Sequence, residues 1–136
     1  MILGIGSDIV DIRRIEKLMT RFEARFIARC FTAAEQETAE KRRPGGAHTA
    51  TYAKRFAAKE ALVKALGTGF SGGIVMKDIG VMNAPGGAPS IKLSGGALER
   101  LKAITPKNHE AVIHVSLSDE PPLAKADVII EARPKD

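Results

Sequence analysis

The segment that most constrains the fold is TATYAKRFAAKEALVKAL, residues 49–66. Ala53, Phe56, Ala57, Ala61, Leu62 and Leu66 recur at helical spacing and Gly67 follows as a natural C-terminal cap, so a helix is predicted over 49–66. Alanines at 57, 58, 61 and 65 leave room for neighbouring elements to come close. On this helix Glu60 and Lys64 stand four residues apart and share a face, with Phe56 one turn earlier. Such a pair fits a surface ion pair worth a few tenths of a kcal/mol. Spacing alone favours that reading; the close-packing alanines and the glycine-rich loop, 67–73, that follows at once shift it towards a charged centre on a tightly packed element.

The opening residues ILGIGSDI read as a short buried strand over 2–9, where Gly4 and Gly6 let another backbone approach and Asp8 stands near the strand end. From 11 to about 29, Ile12, Ile15, Leu18, Met19, Phe22 and Phe26 recur at helical steps, with an interruption expected near Thr20. Arg14, Lys17, Arg21, Arg25 and Arg29 keep the same period, so a basic stripe runs beside an apolar one. Thr32 and Glu35 form a capping-box pattern for a further helix from Ala33 to just before Pro44. Strands are predicted over 77–82 and 90–93 around a turn at 85–87, then a helix capped by Ser94 and running to Ile104. Residues 111–118 alternate apolar and polar and pair with 126–132 as an antiparallel hairpin across 119–122. Helices gathered on an antiparallel β-sheet make this an α+β fold.

The 136 residues contain no repeat and no long linker, which predicts a single domain over 1–136. Cys30 is the only cysteine, so an intrachain disulfide and a cysteine-based zinc cage are both excluded. No stretch reaches the ~20 apolar residues of a spanning helix, and no basic leader precedes the first strand, so a cytoplasmic protein with no membrane role is expected. Of the formal net charge of +5, all the excess lies in residues 1–64, which hold 13 Lys/Arg against 8 Asp/Glu. Such a field favours an anionic partner. Nucleic acid is disfavoured, because one Tyr and no Trp offer little base stacking and no DNA- or RNA-binding motif occurs.

Gly67 to Gly72 matches G-x-G-x-x-G, but it follows a helix, where a dinucleotide site needs those glycines between a strand and the next helix. The chain has no P-loop, no H-E-x-x-H and no G-x-S-x-G elbow, and its three histidines lack metal-ligand spacing. Asp8 and Glu60 would suit a hard cation that keeps several waters and takes phosphate oxygens, if the fold joins them. A phosphate near Gly67, Thr68 and Gly69 would face the negative end of the helix, and Lys64 in the last turn supplies compensating charge.

GIGSDIVDIRRIE (4–16), RFAAKEALVKALGTG (55–69) and HVSLSDE (114–120) together resemble the holo-acyl-carrier-protein synthase family of phosphopantetheinyl transferases, over nearly the whole chain. The resemblance implies transfer of 4′-phosphopantetheine from coenzyme A to a serine of acyl-carrier protein. It implies that Asp8 and Glu60 hold Mg2+, with Mn2+ as an alternative. It makes Lys64 a phosphate contact that assists proton transfer or the leaving group, and Lys59 a further phosphate contact. Either Glu60 or a metal-bound water would take the serine proton.

Gly67, Thr68 and Gly69 would line coenzyme A, and Ser116 and Ser118 would either donate hydrogen bonds to it or stand as exposed strand serines. Arg14, Arg21 and Arg25, with Met19 and Phe26, would dock the acidic carrier protein. Many relatives have His where this chain has Asp119. A homotrimer with sites shared between subunits is expected.

Overall fold

The computed structural model describes residues 1–136. Its centre is the helix α3, His48–Leu66, buried on nearly every side. The alanines explain how that is possible. Strand β1, Ile2–Asp11, lies directly on α3: a Cβ at Gly4 would stand 1.9 Å from the Ala65 carbonyl oxygen, and one at Gly6 1.9 Å from that of Ala61. Two strand residues advance about 6.6 Å and four helical residues about 6 Å, so the two elements stay in step. The next residue on the glycine face is Asp8, which therefore arrives beside the turn that carries Glu60 and Lys64.

Strands β4 (His109–Glu120) and β5 (Leu123–Pro134) complete an antiparallel sheet in the order β1-β5-β4. The last strand is thus the middle one, paired on both sides, and it is longer than the predicted 126–132. Asp8 is in register with Ala126, and Ala126 with Leu117. Ala124, Ala126, Val128, Ile130 and Ala132 all face inward and are buried.

Helix α1, Ile12–Cys30, starts at Asp11, whose carboxylate accepts from the Arg13 N–H, and it kinks at Phe22 (φ −127°, ψ 17°). The Thr20 hydroxyl donates to the Glu16 carbonyl, a bond that commonly bends helices. The kink turns Phe22 outward, 41% exposed, although its spacing places it on the apolar face.

Helix α2, Ala33–Glu40, has the predicted capping box but stops at Glu40, and a 3-10 turn occupies Arg43–Gly45. A second 3-10 turn at Met76–Asp78 delays strand β2 to Ile79–Asn83, which pairs with β3, Pro89–Leu93. Helix α4, Gly95–Ile104, begins after Ser94, but the Ser94 side chain makes no capping bond.

Candidate active site

Asp8, Ser7 and Lys64 meet where β1 crosses α3. The Lys64 ammonium donates to Asp8 Oδ1 and to the Ser7 carbonyl oxygen, each at 3.0 Å. Glu60 sits one turn back on the same face. Burial pushes its carboxyl above the usual range, the negative charge of Asp8 adds to this, and Lys64 and Arg14 oppose it. Two carboxylates that repel across a partly buried site suit a divalent cation. No group of three or more His, Cys, Asp or Glu is gathered anywhere, so Asp8 and Glu60 are the two carboxylates here that could face a hard cation such as Mg2+.

Lys59 requires a correction. It was expected at a phosphate, yet its side chain is 0% exposed and points away from Glu60. Its ammonium donates to Glu35 Oε1 (2.7 Å), the Ile79 carbonyl (2.7 Å) and the Met76 carbonyl (3.0 Å), which uses all three of its protons. Glu35 in turn accepts from the N–H of Thr32 and of Val81. The glycine loop is also changed in meaning. The N–H groups of Gly67, Thr68 and Gly69 return to the carbonyls of Lys64 and Val63, so they close α3 and are not available to cradle a phosphate.

Ser116 and Ser118 are exposed but pair with Asp127 and Lys125 on the outer face of the sheet, opposite to Asp8. One chain does not bring them to the carboxylates. Arg14, Arg21 and Arg25 are exposed on α1, and Asp11, Arg13, Arg14, Lys17, Arg21 and Phe22 line a depression of about 470 Å³. Met19 is 6% exposed, and Phe26 packs edge-on against Phe31 (5.7 Å between centroids) and beside Phe56 (6.1 Å). Met19 belongs to the core and Phe26 is half-buried against it, so exposed Phe22, with half-buried Leu18, is the apolar surface that lines the depression beside the arginines. The Cys30 thiol is buried and pushed up by burial, which leaves it unreactive.

A second polar centre lies on the other side of α3. A pocket of about 200 Å³ is lined by Arg42, Lys54, Arg55, Asn83, Gly87 and Leu117, among others. Arg55 is 2% exposed; it donates to Asn83 Oδ1 at 2.8 Å, and its Nε is buried with no partner. Arg55 is held by the motif RFAAKE, but nothing in the local pattern distinguishes a pocket arginine from a surface one.

The family signature of the 4′-phosphopantetheinyl transferase superfamily matches residues 4–118. The chain belongs to that superfamily. The holo-[acyl-carrier-protein] synthase of Rhizobium rhizogenes is 54% identical over 98% of both chains, and that of Parvibaculum lavamentivorans 56% identical over 99% of both. Among solved structures, the Neisseria meningitidis holo-[acyl-carrier-protein] synthase superposes on this transferase with a TM-score of 0.83 at 34% identity, covering 96% of this chain and 99% of its own. The Helicobacter pylori synthase, solved in complex with coenzyme A, gives 0.77 at 31% identity over 93% and 99%. The α+β phosphopantetheinyl transferase fold is therefore that of this transferase. No helix is long and apolar enough to cross a membrane.

Proposed function

We propose that this chain is a Mg2+-dependent holo-[acyl-carrier-protein] synthase, moving 4′-phosphopantetheine from coenzyme A to a serine of apo-acyl-carrier protein. The meeting of Asp8, Glu60 and Lys64 at the β1–α3 crossing carries this reading. Asp8 and Glu60 would hold Mg2+, which, when bound, neutralises the coenzyme diphosphate and polarises its β-phosphorus. Lys64, anchored by two acceptors, keeps a third proton for a phosphate oxygen. The serine oxygen forms a bond to the β-phosphorus as the bond to the bridging oxygen breaks, and 3′,5′-ADP leaves. The serine proton passes to Glu60 or to a water on the bound Mg2+.

Coenzyme A also carries a 3′-phosphate, and the pocket around Arg55 suits it: a buried guanidinium with an unpartnered N–H, flanked by Arg42 and Lys54. Arg55 and Lys64 are nine residues apart, about two and a half helical turns, so they leave α3 on opposite sides. A coenzyme that reaches both kinds of site spans neighbouring copies of the chain. The outer face of the sheet supports such an assembly, a homotrimer, because Ile5 (70% exposed), Ile9 and Ile129 lie there beside Ser116 and Ser118. A neighbour seated on that face would bring the two serines to its own coenzyme.

The exposed Arg14, Arg21 and Arg25 fit an acidic helix of the carrier. A cytoplasmic setting agrees with a free Cys30 and with coenzyme A as substrate. Mass spectrometry tests the activity: apo-acyl-carrier protein incubated with the chain, coenzyme A and Mg2+ gains one phosphopantetheine. No gain with any of several carriers would sink the reading. Light scattering tests the trimer, and a monomer at micromolar concentration would rule out the shared site.

A further inference from the structure

Strand β4 borders the cationic pocket through Leu117, and side chains two apart on a strand share a face. Asp119 therefore points to the pocket side, and its Oδ1 lies 3.2 Å from Lys54 Nζ. The pocket holds three cations, Arg42, Lys54 and Arg55, with the Asp119 carboxylate beside them; the charge of Glu35 also reaches Arg55 but is offset by its partner Lys59, so the pocket keeps a net charge of +2. A phosphomonoester carries about −1.5 to −2 at neutral pH.

We propose that Asp119 is a specificity-determining residue: paired with Lys54, it limits the pocket to a charge that one phosphate neutralises and so weakens its hold on the 3′-phosphate. The inference rests on the pocket being the 3′-phosphate site, as argued above. Coenzyme A and 3′,5′-ADP share that phosphate, so a looser hold also speeds loss of the product. Lys54 stays in place because Asp119 holds it at the rim, while Arg55, buried and fixed by Asn83, keeps its unpartnered Nε for the ligand.

Calorimetric titration of the full chain with 3′,5′-ADP and with 5′-AMP, in the presence of Mg2+, decides the matter. Repulsion between a carboxylate and a phosphate dianion ~7 Å apart in a water-like dielectric predicts that Asp119→Asn tightens 3′,5′-ADP about five- to tenfold. The affinity for 5′-AMP, which lacks the 3′-phosphate, should stay within about twofold, and the gain should shrink in roughly 0.5 M salt. A misfolded variant would weaken both nucleotides, so a gain restricted to 3′,5′-ADP is not a folding effect.

Unchanged or weaker 3′,5′-ADP binding by Asp119→Asn overturns the proposal. Arg42→Met, at the exposed rim, is expected to weaken 3′,5′-ADP alone. If it does so while Asp119→Asn gives no gain, only the role of Asp119 falls. If it changes neither nucleotide, the pocket is not the phosphate site and the inference falls with it. Phosphopantetheine transfer to carrier protein is measured separately and stands or falls apart from these titrations.

Discussion

Lys59 and Lys64 belong to one helix and one motif, yet they do opposite work. Five residues on a helix turn the side chain by about 140°, which carries Lys59 inward and Lys64 outward. Inside, an unpaired ammonium would be very costly, so Lys59 is surrounded by Glu35, two carbonyls and, at 5.4 Å from its nitrogen, the Phe31 ring. Outside, Lys64 is 52% exposed and keeps a free proton. The buried lysine fixes how α3 sits against β2, and the exposed one uses that fixed position. Residue type alone says nothing about which of the two is which.

The largest effect should come from breaking the inner pair. Lys59→Met leaves the Glu35 charge buried without its partner, at a cost of about 3–5 kcal/mol in urea unfolding. Adding Glu35→Gln removes that charge and keeps an acceptor oxygen for one of the Thr32 and Val81 N–H groups, which bond to different carboxylate oxygens, so the double variant should regain about half of the loss. A single variant less than about 1 kcal/mol below the parent would mean that the pair is not a structural clamp.

Lys64→Ala should do the reverse. Its pair with Asp8 is half in water, so stability should change by no more than about 1 kcal/mol. Loss of a charge aimed at the reacting phosphate should lower kcat/KM by about a hundredfold or more. If melting temperature and activity fell together, the division between the two lysines would fail.

The elements were legible in the sequence because each has its own period or cap: the alanine helix, the Thr32–Glu35 capping box, and the alternation over 111–118. The closeness of Asp8 to Glu60 was legible only in part, through Gly4 and Gly6, whose missing side chains announced a close approach without naming the partner. What could not be read was direction. Spacing puts Phe22 on the core face of α1, but one non-helical residue turns it out, while Met19, expected at a partner, is inside and Phe26 is half-buried against the core. Lys59 was expected at a phosphate only through the family resemblance, and no local pattern shows its partner Glu35, 24 residues away. Arg55 is a similar case, since its partner Asn83 is 28 residues distant.

The same contrast separates charge from packing on α1. Arg21→Glu with Arg25→Glu should raise the KM for carrier protein about tenfold, with kcat kept and the effect reduced by salt. Arg14 is left out of that pair because its charge also reaches Glu60. An unchanged KM would remove the docking face from α1.

The smallest effect is also the most telling about Glu60. Its carboxyl is pushed up in the folded chain, so the folded state holds this proton more tightly than the unfolded state does. The stability that Glu60 contributes is therefore full below its ordinary value of 4.5 and is lost as pH rises through the raised one. At neutral pH the ionised group opposes folding. Glu60→Gln resembles the protonated form, so with EDTA it should melt slightly higher than the parent at pH 8, and the two should converge near pH 4. The variant should nevertheless be nearly inactive. Adding Mg2+ should stabilise the parent and not the variant, which closes or reverses the gap. A gap that ignores Mg2+ would show that burial alone perturbs Glu60 and would remove it from the metal site, leaving Asp8 and Lys64 as the only polar pair at the crossing.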